Sequence, residues 1–102
     1  MIKLVKIRGD SMLPTLFDGD TVITTKPRVV HAGLIYIVDH SDLGLIIKRL
    51  DSFDNRGRAR LTGDNPRSTP SAVMGTVETE RFVGQARFAF GKSGLRKLER
   101  KP

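Results

Sequence analysis

The chain contains no cysteine, which removes disulfides, thiolate zinc centres and a cysteine nucleophile from consideration. It has no tryptophan and one tyrosine, so beyond its phenylalanines the core must come from Val, Ile and Leu. No apolar run approaches the roughly 18–20 residues that span a bilayer. The N-terminal stretch Met1 to Arg8 carries a cation at every second or third position, and so lacks the continuous apolar segment of about 7–15 residues that marks a signal peptide. These absences read as a soluble, unexported, cytoplasmic protein. Repeats, low-complexity tracts and long helix-period segments are missing too. What is present is ordinary for one globular domain with one modest core: 102 residues, 38% hydrophobic and 28% charged.

Charge is unevenly spread. The formal net charge is +7, and the segment Lys92 to Pro102 supplies +4 of it, from five cations against Glu99. The favoured reading of this segment is a solvated, frayed tail with at most one helical turn through Leu95 and Leu98. It is too short, and too poor in aromatics, to be a strong nucleic-acid platform. The alternative is a contact with an anionic membrane or nucleic acid. The expected division is thus a core over 1–91 and a basic C-terminal tail over 92–102.

Short β-like runs separated by turn signals fill the core. They are Lys3 to Arg8; the β-branched Thr21 to Thr25, stopped by Lys26-Pro27; Leu34 to Val38 after Gly33; Leu45 to Leu50, reached through a polar turn over Asp39 to Asp42; Arg58 to Thr62; and Arg81 to Phe90. A loop rich in Pro and Ser covers Gly63 to Ser71. The fold class is mainly β, with small, coiled or twisted antiparallel sheets.

Three segments carry candidate chemistry. In Gly9-Asp10-Ser11-Met12-Leu13-Pro14 a strand stops at a glycine and a serine follows in a turn. A nucleophile needs such a turn, so that its oxygen projects and nearby backbone N–H groups face a developing oxyanion. Gly9 permits close backbone approach and Pro14 stiffens the exit. In Leu45 to Leu50, strand alternation puts Ile46, Lys48 and Leu50 on one face. Burial between two aliphatics would lower the Lys48 pKa from about 10.4 and leave an amine able to take a proton from a serine. Arg49 cannot act so, because a guanidinium stays protonated. Each segment also has a plainer reading: a turn serine bonded to local backbone, and a lysine that snorkels to solvent. The third segment, Gly63-Asp64-Asn65-Pro66-Arg67-Ser68, reads by itself as a turn. His31 and His40 look like loop residues, which argues against a Ser-His-Asp triad, and two histidines without clustered acids make no metal site.

Taken in order, the segments resemble the type I signal peptidase family and its relatives, the LexA-like self-cleaving proteins. The matching residues are Gly9, Ser11, Met12, Pro14, Thr15 and Leu16, then Gly19, Asp20 and Val22, then Lys48 and Arg49, then Gly63, Asp64, Asn65 and Ser68. The resemblance spans about Lys3 to Ser71, with weaker similarity through Phe90. It implies the signal-peptidase/LexA catalytic-core fold and a serine endopeptidase with Ser11 as nucleophile and Lys48 as general base. Gly9, Met12, Asp64, Asn65 and Ser68 support the site, Ser68 matching a serine that orients the lysine. The Ser11 N–H would line the oxyanion hole. A second donor would have to be backbone, since Gly9 stands where a serine hydroxyl can serve. Pro70-Ser71-Ala72 replaces the usual Asp-Ser-Arg.

On this resemblance the chain is a soluble maturation peptidase without membrane anchor or cofactor, taking a polypeptide as an extended strand. Small residues would flank the cut. The alternative is a catalytically weak or inactive LexA-like binding module. Self-cleavage is disfavoured, because only ten residues precede Ser11 and they read as strand. Oligomeric state stays open, a dimer included.

Overall fold

The computed structural model describes residues 1–68 and 74–101. Among the described residues, eight strands follow one another: β1 (Ile2–Lys6), β2 (Thr21–Thr25), β3 (Ile35–His40), β4 (Gly44–Phe53), β5 (Ala59–Thr62), β6 (Thr76–Val77), β7 (Phe82–Gly91) and β8 (Gly94–Lys97), with a 3-10 turn at Thr79–Arg81. They form one antiparallel sheet in the order β1-β2-β7-β3-β4-β5-β6, and β8 pairs with β7. The sheet curls into a half-barrel. The mainly β, twisted antiparallel architecture expected from the sequence is the one observed.

Burial explains the strand placement. β3 is central, and Ile35, Tyr36, Ile37 and Val38 are all buried, so a continuous apolar run replaces the alternation of a one-sided strand. Two packed clusters result. Ile35 joins Ile7, Met12, Leu16, Val22, Ala86, Ala89 and Leu98. Tyr36 and Val38 join Leu50, Ala59, Leu61, Met74, Val77 and Phe82. Register shifts between Ile23 and Thr24, between Ile37 and Val38, and between Leu50 and Ser52 locally sharpen the twist, as bulges do, and help the sheet to curl over both clusters.

Two sequence expectations are corrected. The described part of the expected tail, 92–101, is not frayed. β7 runs past the end of β3, and β8 occupies the edge so exposed, pairing Phe88 with Lys97 and Gly91 with Gly94. Gly91 and Gly94 therefore close a hairpin through the two-residue loop Lys92-Ser93, with Gly94 at φ +83°, a backbone conformation glycine adopts without steric cost. Beyond β8, the Leu98 N–H donates to the Arg87 carbonyl at 2.9 Å and the Lys101 N–H to the Gly33 carbonyl at 2.9 Å. Leu98 is only 9% exposed, whereas Leu95 is 70% exposed. The second correction concerns His40, which closes β3 and is buried rather than lying in a loop.

Candidate active site

Ser11 opens a tight turn between β1 and β2. Gly9 has φ +83° and donates its N–H to Asp18 Oδ1 at 2.7 Å. A Cβ on Gly9 would meet nothing within 4 Å, so the backbone conformation, not a close approach, demands glycine there. The Met12 carbonyl accepts the N–H groups of Thr15 at 2.8 Å and Leu16 at 2.9 Å. The Met12 and Leu16 side chains sink into the first core cluster. Those two anchors hold the turn down and leave Ser11, at its start, half-exposed. The Leu13–Pro14 peptide is cis.

The Gly63–Ser68 loop is stitched to this turn. The Asn65 N–H donates to the Ser11 carbonyl at 3.0 Å, and Asn65 Nδ2 donates to the Asp10 carbonyl at 2.9 Å. Close approach belongs to Gly63: a Cβ there would fall 2.2 Å from Ser68 Oγ and 2.5 Å from the Ser11 carbonyl oxygen. Asp64 is the rivet. Its carboxylate accepts from Arg49 Nε at 2.8 Å and Arg49 Nη2 at 2.6 Å, and from the Thr15 hydroxyl. Arg49 also donates to the Gly33 carbonyl at 2.6 Å. Burial pushes the Asp64 carboxyl up. Hydrogen bonds from Arg49 and Thr15, with the Arg49 charge, outweigh that and hold it below the ordinary range. One buried pair thus ties β4, the Ser11 turn and the Gly63 loop together.

Lys48 pairs across the ladder with Tyr36, and Arg49 with Ile35. The two neighbours therefore leave β4 on opposite faces: Arg49 goes to Asp64, while Lys48 shares a face with Ile46 and Leu50, as strand alternation predicts. Lys48 is 5% exposed. Desolvation lowers its pKa, because a buried ammonium loses its hydration. Among the described residues it has no ion-pair partner.

Ser11 and Lys48 line one cleft of about 590 Å³, whose other walls are Val5 to Arg8 of the β1 edge, Ile37, Leu43 and Leu45 to Ile47. Among the described residues no hydrogen bond joins Ser11 Oγ to Lys48 Nζ. Ser68 does not line this cleft; it stands behind Ser11, across Gly63. Pro70-Ser71-Ala72 lies outside the described residues. His40 is committed elsewhere: its Nε2 bonds the Met74 carbonyl at 3.0 Å, and its Nδ1 accepts from the N–H groups of Asp42 and Leu43 at 3.1 and 3.2 Å. Among the described residues no cluster of three or more His, Asp or Glu could hold a metal, and no helix is long and apolar enough to cross a membrane.

Asp20, Thr15 and Arg49 stand in the sequence motifs with no role evident from the sequence. Asp20 is buried, accepts from the Phe17 N–H at 3.0 Å and pairs with Arg96 at 2.6 Å. No local signal links Asp20 to a cation 76 positions away. A family model described as Peptidase S24-like matches residues 2–86. No curated protein matches the chain.

Proposed function

The chain belongs to the Peptidase S24-like family, and from that membership we propose that it is a serine endopeptidase in which Ser11 is the nucleophile and Lys48 its general base. The observation that carries the proposal is the state of Lys48: buried, shifted toward the neutral amine, and lining the same cleft as Ser11.

In the proposed reaction, Ser11 Oγ attacks the scissile carbonyl carbon while neutral Lys48 Nζ takes the hydroxyl proton. The tetrahedral oxyanion is met by the Ser11 N–H. As the C–N bond breaks, the Lys48 ammonium returns the proton to the leaving amine and an acyl ester remains on Ser11. Water then gives a proton to Lys48, attacks the ester, and expels Ser11 Oγ, which recovers the proton. The bonds from Asn65 to Asp10 and Ser11 fix the turn from behind, and Arg49–Asp64 fixes the loop that carries Asn65. Positioning of this kind supports the reacting groups without touching them.

A non-catalytic LexA-like module is the second reading. The missing hydrogen bond between Ser11 Oγ and Lys48 Nζ among the described residues favours it. Catalytic contacts often tighten only when substrate is bound, which is why the first reading is preferred. Incubation with a mixed peptide library, read by mass spectrometry, separates the two. Defined cuts by the wild type, none by Ser11→Ala, and a loss of about 10²–10⁴-fold in Lys48→Arg are expected. Cuts that persist unchanged in Ser11→Ala would refute the nucleophile, and a wild type that cuts nothing would favour the module.

A further inference from the structure

β1 ends the sheet order, and no other strand of the described residues pairs with its outer edge. Ile7 continues the ladder toward the sheet: its N–H donates to the Asp20 carbonyl at 2.8 Å and its carbonyl accepts from the Gly19 N–H at 2.9 Å. In an antiparallel ladder, successive residues turn their backbone groups to opposite sides. The N–H and C=O groups of Lys6 and Arg8 therefore face away from the sheet, into the cleft that both residues line. Their side chains leave on the face opposite Val5 and Ile7. Both are exposed, whereas Ile7 is buried and Val5 half-buried. Among the described residues, neither Lys6 nor Arg8 is in an ion pair and no acidic residue lines the cleft.

From this we infer that the cleft selects a segment in which aliphatic and acidic residues alternate, laid along the outer edge of β1. The inference rests on the peptidase reading for the identity of the ligand as polypeptide. A strand paired with Lys6 and Arg8 sends alternate side chains to opposite faces. One set enters the apolar trough of Val5, Ile7, Ile37 and Ile47. The other set lies directly beside the Lys6 ammonium and the Arg8 guanidinium. Opposite charges placed across neighbouring strands attract and like charges repel. A lysine-bearing segment is thus rejected by the edge that welcomes a glutamate-bearing one.

The test uses the full chain as Ser11→Ala, so that binding is read without turnover. The probes are three fluorescent peptides of one length, alternating valine with glutamate, glutamine or lysine, followed by anisotropy at low and moderate salt. The glutamate peptide is expected to bind roughly 3–10-fold tighter than the glutamine peptide, from about two cross-strand charge pairs, and the gap should narrow as salt rises. Added to Ser11→Ala, the pair Lys6→Gln and Arg8→Gln should abolish the preference, and the pair Lys6→Glu and Arg8→Glu should transfer it to the lysine peptide. Equal binding of glutamate and glutamine peptides, no binding of any peptide, or a preference that survives both double substitutions would overturn the inference. Wild-type protein given the mixed peptide library keeps the two proposals apart. Charge-selective binding of the probes with no cut in the library defeats the peptidase alone, and library cuts without charge-selective binding defeat the edge-strand inference alone.

Discussion

A lysine side chain at 5% exposure is costly while charged, and Lys48 has no counter-ion among the described residues to offset the lost hydration. Its lowered pKa has a defined consequence for pH. Between the folded-state pKa and the unfolded value near 10.4, the unfolded chain binds more protons than the folded one, so stability rises with pH across that window. Below the folded pKa the full penalty applies. Lys48→Met, similar in length and apolar, should therefore raise the melting temperature at neutral pH and lose that advantage toward pH 10; thermal unfolding against pH measures it. The proposed peptidase rate should climb through the same lowered pKa, and Lys48→Arg should not restore it at any pH. Asp64 works with the opposite sign. Its pKa is depressed, so its stabilising contribution is present above an unfolded value near 3.9 and is lost as pH falls through the folded one. Asp64→Asn leaves the buried Arg49 guanidinium without its carboxylate. It should cost about 3–5 kcal/mol at neutral pH and flatten the acid limb of the stability profile, both read by urea denaturation.

Among the elements, β8 departs most from what its sequence suggests. Five cations and two leucines three apart look like a solvated terminus with a helical turn. The strand forms because β7 offers it an unoccupied edge, an event 82–91 can supply and 92–102 cannot announce. Arg96 then pairs with buried Asp20 at 2.6 Å and stacks over the Phe17 ring at 5.7 Å, so β8 also braces the turn that follows Ser11. Deleting 92–102 should consequently unfold the domain or lower its melting temperature sharply, where a frayed tail would be dispensable. Leu98→Ala, a single buried truncation, should cost about 2–4 kcal/mol in equilibrium denaturation. An unchanged midpoint would show that Leu98 adds nothing to the core. β4 went the other way. Its aliphatic alternation was legible, and the placement of Lys48 with Ile46 and Leu50 followed from strand periodicity alone.

At the scale of the whole molecule, the surplus of +7 is spread over a folded surface rather than held on a mobile tail. Arg96 and Arg100 are occupied, by Asp20 and by the Ala32 carbonyl at 2.8 Å, while Lys92 and Lys97 are exposed on the β7–β8 hairpin. We propose that any contact with an anionic lipid or nucleic-acid surface runs through such exposed cations. Lys92→Gln with Lys97→Gln should then weaken retention on an anionic resin at low salt and leave the fold intact. The wild-type and variant elution positions should converge as salt shortens the screening length to about 3–10 Å.

The fold class and the order of the motifs were legible in the chain, because both rest on local chemistry: β-branched runs, turn residues, and the fixed spacing of Gly9 to Leu16, Lys48-Arg49 and Gly63 to Ser68. It also carried the face on which Lys48 lies, since a strand has a period of two. Tertiary structure alone decided which groups became neighbours across long stretches of chain. Asp64 met Arg49 and Thr15, Asp20 met Arg96, and Gly63 gave up its Cβ space to Ser68 and Ser11. The burial of Lys48, the pairing of β8 and the open edge of β1 were decided the same way. Their common cause is that pairing, desolvation and edge exposure are properties of the completed sheet, set by which strand lies beside which, and no single segment encodes its neighbour.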